Sequence, residues 1–311
     1  MKTFTQRPYP ELSWSHSRDL LFQDCQRKYF YQYYASHNGW LRDSAPEAQK
    51  AYRLKQLSNL YLTFGDAVHQ IAYMYVQKWE RQHHLFSERE LQDKLRHMLN
   101  RAFLDSKDVA QWWEAPKKRT MLHEMYYFQQ LPEKTVATIK ERMSVCLDNL
   151  LASESVQELM HTPGHQVIEM EQLNEFWLNN IKLYVKLDLL YKRSDGMWII
   201  VDWKTGKEDE RIEEQLHLYA YFLHHERGLP LDKIEVRTEY LLSGTCERTT
   251  VTEADLEQLE LKIYQSMGSM KDNLEDPEQN RPKPASEFTG TTSEFTCRTC
   301  NFREICDIRV G

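Results

Sequence analysis

Three short β-rich runs follow one another closely in the middle of the chain, and they constrain the fold more than any other feature. They read "HQVIEMEQLNEFWL", "IKLYVKLDLLYKR" and "MWIIVDWKTG". Only "NN" and "SDG" separate them, and both short connections are good hairpin turns. Strands joined by such tight turns pair in antiparallel fashion. The region from Gln166 onward therefore predicts the beginning of a β-sheet.

Helical patterns lie on both sides of these strands. The first 165 residues are mainly helical in pattern, because apolar residues recur at helical spacing and breakers are few. After the hairpins we predict a helix in "EDERIEEQLHLYAYFLHHERG", ended by Gly228 and Pro230. Two strands follow, around "KIEVRTEYLL" and "CERTTVT", and then a helix from about Glu253 to Asn273. The segment "EDPEQNRPKPASEF" predicts a proline-rich connector without regular structure.

The fold class that follows is mixed α/β, with a central mixed β-sheet flanked by helices, a helical N-terminal region and a helical insertion. We divide the chain into four parts. Residues 1–85 form the N-terminal helical part and residues 86–165 the insertion. Residues 166–275 form the core sheet with its helices, and residues 276–311 a linker with a C-terminal cysteine cluster.

Charge and hydropathy narrow the class of protein. Lys and Arg total 40 and Asp and Glu 47, so the net charge is −7. The chain thus lacks the overall basic character of many nucleic-acid binders, and any DNA contact must come from a local patch. No window approaches the roughly 18 apolar residues of a membrane span, and the polar start lacks a signal-peptide core. We expect a cytoplasmic protein without membrane contact.

Two carboxylates and a lysine mark the ends of neighbouring strands. Asp202 and Lys204 stand two residues apart, so their side chains project from the same face of a strand. Asp188 lies on the preceding strand of the hairpin. Carboxylates on adjacent strands repel unless a cation lies between them, which favours Mg²⁺ or Mn²⁺. The alternative is a surface ion pair at a strand end.

The six cysteines are ligands or buried apolar residues in a cytosolic chain. Cys297, Cys300 and Cys306 form the pattern C-x2-C-x5-C, and Cys25 stands far from them in "FQDCQRKYFYQYY". Four thiolates suit tetrahedral zinc, although zinc sites usually have two closely spaced pairs. One remote cysteine with a trio suits an iron–sulfur cluster. Cys146 and Cys246 are each isolated in the sequence, and each is most simply a structural residue.

Together these residues resemble the PD-(D/E)XK nuclease superfamily, in its RecB-like branch, whose catalytic strand reads D-x-K-T-G. The segment "GDAVHQIAY" resembles the G-x-x-x-H motif and places His69 as a metal ligand. The segment "EEQLHLYAY" resembles the Q-x-x-x-Y motif with Gln215 and Tyr219. The cysteine frame resembles AddB-type and CRISPR-adaptation exonucleases, which hold a [4Fe-4S] cluster.

The resemblance implies a restriction-endonuclease-like sheet and a role for each site residue. His69, Asp188 and Asp202 would hold Mg²⁺ or Mn²⁺, with the carbonyl of Trp203 as a further ligand from a bulged strand end. Lys204 would assist attack by a metal-activated water. The helix after this strand would contribute two more residues. Its motif implies that Gln215 positions Lys204 or DNA and that Tyr219 contacts the phosphate backbone.

Two further features have alternative interpretations. Glu171, on the strand before Asp188, is either an additional metal ligand or an outward strand charge, and we favour the outward charge. The aromatic segment from Tyr29 to Trp40 is interleaved with basic residues. It is either core or a surface on which one or two residues stack the bases of a single strand.

The resemblance implies a metal-dependent DNA exonuclease that acts on single-stranded DNA or DNA ends, in repair, recombination or defence. It also implies a preference for 5′ ends. Cys25, Cys297, Cys300 and Cys306 would hold a structural [4Fe-4S] cluster. The sequence has no Walker A pattern, so unwinding would require a helicase or defence/repair partner protein. The alternatives are a non-catalytic iron–sulfur subunit of a helicase or CRISPR-adaptation complex, and a zinc-clamped interaction protein.

Overall fold

A computed structural model describes residues 6–82, 85–208 and 210–308. It confirms the predicted mixed α/β class, with helices on both faces of a five-stranded mixed sheet. The strands of this sheet lie side by side in chain order: β1 (Gln166–Leu178), β2 (Ile181–Lys192), β3 (Trp198–Lys204), β4 (Ile234–Tyr240) and β5 (Thr245–Thr249).

The two predicted hairpin turns join the first three strands. β1 pairs with β2, and β2 with β3, both antiparallel. The turns use Asn179 and Gly196, whose φ angles of 51° and 91° suit an asparagine and a glycine. β3 and β4 are parallel, which requires the crossover connection between them to contain a helix. β5 returns antiparallel to β4.

Twelve α-helices surround the sheet in the described part of the chain. The first seven are α1 (His16–Asp24), α2 (Gln26–Phe30), α3 (Pro46–Lys55), α4 (Leu60–Gln82), α5 (Glu88–Asp105), α6 (Val109–Glu114) and α7 (His123–Phe128). The others are α8 (Glu133–Ala152), α9 (Glu154–His161), α10 (Glu213–Arg227), α11 (Glu253–Asp272) and α12 (Glu294–Arg298). A π-helical turn, Tyr31–Ala35, directly continues α2. None of these helices combines the length and apolar character that a membrane span requires.

Two hydrophobic cores lie on opposite faces of the sheet. The first core packs the sheet against α1, α2, α10 and α11; its fully buried members include Trp14, Ile200 and Ile263. The second core packs the other face against α4, α5, α8 and α9, with Val68 and Val201 among its members. Burying each such aliphatic side chain contributes about 1.5–3 kcal/mol. The helices of residues 88–161 therefore share a core with the sheet.

The segment after α11 differs from its prediction as a connector without regular structure. It contains a short hairpin of β6 (Leu274–Asp276) and β7 (Arg281–Pro282), followed by a 3-10 turn, Ala285–Glu287. The buried Asn280 holds the hairpin in place, because its side chain accepts a hydrogen bond from Tyr34 and donates one to the carbonyl of Pro10. These partners are distant in sequence, so the local pattern does not reveal them.

The helix predicted from residue 208 begins later in the structure. A 3-10 turn, Glu210–Ile212, comes first, and α10 starts at Glu213. Asp209, inside the predicted helix, lies outside the described residues. Gly228 ends α10 with a φ angle of 64°, as the sequence predicts.

Candidate active site

Two buried carboxylates lie where β2 and β3 separate. The last paired residues of these strands are Leu189 and Val201, and Asp188 and Asp202 come directly beyond them. Asp188 accepts a hydrogen bond of 2.8 Å from the backbone N–H of Trp203 through Oδ2. The predicted approach of the two carboxylates is therefore seen, and the separation of the strands opens space beside them.

The regular alternation of side chains breaks at this point. Leu187 belongs to the first core but Leu189 to the second, although residues two apart on a strand normally share a face. Opposite Asp188, on β1, Glu171 adopts a φ angle of 52°. A left-handed glutamate costs on the order of 1–3 kcal/mol, and such strain concentrates at functional sites. At this irregular part of the backbone, the carboxylates of Glu171 and Asp188 both face the side chain of His69.

A histidine from α4 joins these carboxylates. Gly65 lies so close to Thr205 that a Cβ atom at position 65 would come within 3.3 Å of its Oγ1. This close approach fixes α4 against the end of β3, and His69 follows one turn later on the same face. His69 Nδ1 lies 3.3 Å from Asp188 Oδ1 and 3.2 Å from Glu171 Oε1.

Glu171 is thus a correction to the sequence analysis, which favoured an outward strand charge. The structure contradicts that interpretation, because the side chain contacts His69 and also forms an ion pair with Lys186. The period-two alternation of a strand places residue 171 outward only if the backbone is regular. Its left-handed conformation is what turns it inward.

The charges in this group shift one another's pKa values. Burial alone would lower the pKa of His69, but Asp188 and Glu171 outweigh burial and raise it well above its ordinary value. Burial raises the pKa of Asp202 to about 6, with Asp188 adding to the shift and Lys204 opposing it. The carboxylates of Asp188 and Glu171 thus favour positive charge at the position of His69.

Asp202 and three other side chains form a closed circuit of polar contacts. Lys204 Nζ lies 2.9 Å from Asp202 Oδ2 and donates a 3.0 Å hydrogen bond to Gln215 Oε1. The Gln215 amide donates to the hydroxyl of Tyr219, and this hydroxyl donates to Asp202 Oδ1 at 3.2 Å. The predicted contact between Gln215 and Lys204 is therefore present in the structure.

Tyr219 is placed differently from its prediction. It is 3% exposed and its hydroxyl contacts Asp202, whereas the resemblance implied a contact with the phosphate backbone. Burial and the adjacent Asp202 raise the pKa of Tyr219 well above its ordinary value. The phenol therefore stays protonated and serves as a donor that orients the carboxylate.

The donor atoms fit a divalent cation. His69, Glu171 and Asp188 each offer one ligand atom, and these atoms lie within 4.8 Å of one another. Asp202 lies beside this group, and its carboxylate is held by Lys204 Nζ at 2.9 Å from Oδ2 and by the hydroxyl of Tyr219 at Oδ1. Carboxylates with one imidazole suit Mn²⁺ or Mg²⁺.

The backbone of Trp203 was predicted to supply a further ligand from a bulged strand end. β3 remains in regular register with β4 from Trp198 to Lys204, so the structure places no bulge there. The N–H of Trp203 is the backbone group that contacts the site, through Asp188. Its carbonyl as a metal ligand stays a prediction.

A cleft of about 620 Å³ opens beside this group. Lys204, Gln215 and Tyr219 line its inner end, and serines of α1 form part of its wall. Its basic residues are Lys186, Lys204, Lys207 and Arg211. Lys186 and Lys204 of this cleft are also the ion-pair partners of Glu171 and Asp202, so the cleft adjoins the candidate metal ligands.

The four predicted cluster cysteines surround a second cavity, of about 640 Å³. Cys25 reaches it from the start of α2, and Cys297, Cys300 and Cys306 from the C-terminal segment. All four are free thiols, and the cavity does not include Cys146 or Cys246. The structure thus brings together the residues that the sequence predicted as one ligand set.

Comparison with known proteins identifies the family. The model of the PD-(D/E)XK nuclease superfamily matches residues 13–307. No curated protein matches the sequence. A solved structure titled "Crystal structure of SSO0001" is 15% identical and aligns over 61% of this chain and 94% of its own. Its TM-score is 0.27, so this likeness carries no argument. Because the family model spans nearly the whole chain, the protein belongs to the PD-(D/E)XK nuclease superfamily.

Proposed function

We propose that this nuclease is a metal-dependent DNA exonuclease that hydrolyses phosphodiester bonds in single-stranded DNA or at DNA ends. Family membership supports nuclease chemistry with a divalent metal. The observation that carries the proposal is the convergence of His69, Glu171 and Asp188 beside the buried Asp202, at the point where two strands separate. A basic cleft beside this group supports a nucleic-acid substrate.

These four side chains would hold Mg²⁺ or Mn²⁺. When bound, the ion supplies Lewis-acid activation of water and neutralises charge on the phosphate. The residues of the chain set the geometry for that chemistry. The N–H of Trp203 fixes the orientation of Asp188, and the hydroxyl of Tyr219 fixes that of Asp202.

Lys204 is the cation that faces the reacting phosphate. Its ammonium group is held between Asp202 and Gln215, so its position is set before substrate arrives. A positioned ammonium group stabilises negative charge that develops on the phosphate in the transition state. Lys207 and Arg211, on the wall of the cleft, hold the strand in place during this step.

The proposal includes a structural [4Fe-4S] cluster on Cys25, Cys297, Cys300 and Cys306. The four thiols line one cavity of about 640 Å³. Zinc sites usually draw on two closely spaced pairs of ligands. One remote cysteine with a C-terminal trio is instead the arrangement that supports an iron–sulfur cluster.

A cysteine comparison tests the cluster. Anaerobically purified protein should contain iron and sulfide and absorb visible light, and Cys297→Ser should lose most of both. Cys246→Ser is the matched control, because this thiol lies outside the cavity. Stoichiometric zinc without sulfide in the wild-type protein would overturn the cluster and favour a zinc-clamped protein.

The function itself is tested with end-labelled DNA. Wild-type protein with Mn²⁺ or Mg²⁺ should degrade linear single-stranded DNA and leave circular single-stranded DNA intact, since an exonuclease requires an end. Retention or loss of the label reports the polarity, which we propose to be 5′. Lys204→Ala should lose activity by at least about 100-fold, as expected for a group that stabilises transition-state charge. Lys271→Ala, on the exposed side of α11, is the control.

Two outcomes would contradict this assignment. Cleavage of the circular substrate would make the enzyme an endonuclease. Binding without cleavage, by both wild type and Lys204→Ala, would favour the non-catalytic subunit of a helicase or CRISPR-adaptation complex.

The cellular setting is part of the same proposal. We propose a role in repair, recombination or defence in the cytoplasm, with a helicase or defence/repair partner supplying any unwinding. The division at residues 85, 165 and 275 also stays a proposal. The shared second core makes the part from 86 to 165 structurally continuous with the sheet.

A further inference from the structure

Two cations lie over the ring of one tyrosine, Tyr33, and a third cation lies near them. The guanidinium carbon of Arg18 lies 4.0 Å from the ring centre of Tyr33, and Lys55 Nζ lies 5.3 Å from it. Lys117 is close enough to Lys55 to repel it. Across the described residues, no Asp or Glu oxygen lies within ion-pair distance of any of the three cations. In a chain of net charge −7, this is a local excess of positive charge.

Unpaired like charges of this kind cost free energy. Lys55 is half-buried, and burial together with repulsion by Arg18 and Lys117 lowers its pKa to about 8. An arriving anion would remove both penalties, because it supplies the missing opposite charge. The cluster is therefore arranged to accept negative charge from outside the chain.

The surface continues into a cavity lined by aromatic and basic side chains. Lys117 Nζ lies 6.0 Å from the ring of Tyr52, which packs edge-to-face on Trp40 at 5.8 Å. Trp40 is 43% exposed, whereas Tyr29 and Tyr34 of the same aromatic segment are buried. The cavity holds about 640 Å³ and includes the exposed cations Arg42, Lys117 and Lys118.

The cluster also adjoins the catalytic cleft. Ser15 and Ser17 line that cleft together with Lys204, and Arg18 is the next residue of α1. Cations and aromatic rings thus follow one another from Arg18 to the exposed Trp40. Alternating positive charge and aromatic faces is the arrangement that binds single-stranded nucleic acid, since phosphates and bases alternate in the same way.

We propose that Arg18, Lys55, Lys117 and Trp40 form a second binding surface for single-stranded DNA, continuous with the catalytic cleft. The first three bind backbone phosphates, and Trp40 stacks one base in the cavity beside Tyr52. This proposal rests on the proposed function for the identity of the ligand. It assigns the stacking role, which the sequence left open along Tyr29 to Trp40, to one residue.

Binding without metal tests the surface separately from catalysis. The probe is fluorescein-labelled oligothymidylate in EDTA, at lengths of about 4 and about 20 nucleotides, and binding is measured by anisotropy. The variants are Lys117→Gln, the double variant Lys55→Gln/Lys117→Gln, and Trp40→Ala. Lys271→Gln is the matched control, an exposed lysine on α11.

For the long probe we expect about a tenfold loss of affinity in the double variant and in Trp40→Ala, since a stacked base contributes about 1–3 kcal/mol. The slope of log affinity against log salt should become shallower by about 0.7 for each lysine removed. The short probe should bind equally well to all variants, because it occupies the catalytic cleft alone. Lys117→Gln replaces an exposed residue, so its result does not depend on the fold surviving a buried change.

The outcomes separate this proposal from the proposed function. Length-dependent losses in a protein that binds but does not cleave would support the surface and overturn the exonuclease. Cleavage by wild type, with long-probe affinity and salt slope unchanged in all variants, would overturn the surface and leave the exonuclease intact. Equal losses with both probe lengths would also overturn it, because they would place these residues in the catalytic cleft.

Discussion

The hydroxyl of Tyr219 orients the carboxylate of Asp202, a role that the residue type alone does not predict. Buried tyrosines usually contribute apolar surface, but this one donates to Asp202 Oδ1 and accepts from Gln215. Burial raises the pKa of the Asp202 carboxyl group. Such a carboxylate is most useful as a metal ligand when hydrogen bonds fix its orientation. The circuit of Lys204, Gln215 and Tyr219 provides that orientation, with Lys204 at Oδ2 and the Tyr219 hydroxyl at Oδ1.

Removing this hydroxyl should impair catalysis without unfolding the protein. We expect Tyr219→Phe to lower the cleavage rate about tenfold, which corresponds to about 1.4 kcal/mol, the net value of a hydrogen bond to a charged group. Tyr221→Phe is the control on the same helix, because that hydroxyl donates to Glu260, away from the site. Equal rates for Tyr219→Phe and wild type would mean that the ring alone positions Asp202.

Glu171 provides a second test at this scale. Glu171→Gln keeps the shape of the side chain and removes its charge, so we expect at least about tenfold weaker Mn²⁺ binding in calorimetric titration. Glu175→Gln, on the same strand and paired with Lys182 at the surface, should leave the affinity unchanged. If Glu171 serves only to pair with Lys186, both variants will bind Mn²⁺ equally.

The site residues differ in how far the sequence predicts them. Asp188, Asp202, Lys204 and His69 follow from strand and helix periodicity and from the order of motifs along the chain. Glu171 does not, because its position depends on a left-handed φ angle that leaves no mark in the pattern of apolar residues. The available signal is a charged residue on β1 opposite Asp188 in the long β1–β2 hairpin.

At the scale of elements, β4 supports the site from behind. Buried Glu239 accepts hydrogen bonds from the Trp203 indole and from the backbone of Ser155 at the start of α9, each at 2.7 Å. Arg237, 1% exposed on the same strand, pairs with Glu158 of α9 at 2.7 Å and with Glu235 at 2.5 Å. These contacts fix α9 to the strand that lies parallel to β3.

Removing the buried Arg237 from this network should lower the free energy of unfolding more than removing an exposed cation does. We expect Arg237→Ala to lower the free energy of unfolding by about 2–3 kcal/mol, because it removes the charge-assisted hydrogen bonds that the buried guanidinium makes to the half-buried Glu158 and Glu235. Arg248→Ala removes an exposed cation that shares Glu235 and Glu154, and should cost at most about 1 kcal/mol. Urea denaturation measures both. Similar losses would show that burial of Arg237 adds nothing to its pairing.

Elements with local signals are predicted well and those with distant partners are not. The turns at Asn179 and Gly196 and the end of α10 at Gly228 follow from residues that tolerate positive φ angles. The β6–β7 hairpin also has an asparagine with a positive φ angle, Asn280 at 53°, but the bonds of this residue to Tyr34 and Pro10 across the fold leave no local signal.

At the scale of the whole molecule, the N-terminal segment docks on β2 through an isolated bridge at Trp14. The backbone of Trp14 accepts a hydrogen bond from Tyr184 of β2 and donates one to Lys182 of the same strand. Its indole N–H donates to Ser266 of α11. Trp14 is fully buried in the first core. One residue thus links the segment before α1 to both the central sheet and the helix that covers it.

This link yields a stability prediction. Trp14→Ala should lower the free energy of unfolding by about 3–5 kcal/mol, as expected for a large buried aromatic residue. Trp177→Ala is the control, because that side chain is 50% exposed on β1. Thermal unfolding followed by circular dichroism measures the difference. A loss below about 1 kcal/mol for Trp14→Ala would show that the segment docks only loosely.

The contacts between early and late parts of the chain bear on how the protein is made. Arg27, almost fully buried, pairs with Asp307 and donates to the carbonyl of Phe288, while Tyr31 donates to the carbonyl of Ile305. During synthesis, α2 emerges from the ribosome some 260 residues before these partners exist. The contacts of Arg27 and Tyr31 with this late segment can therefore form only after residue 307 has been made. Cys25, directly before α2, meets Cys297, Cys300 and Cys306 only at the same late stage, so any group that these four thiols hold together can be bound only then.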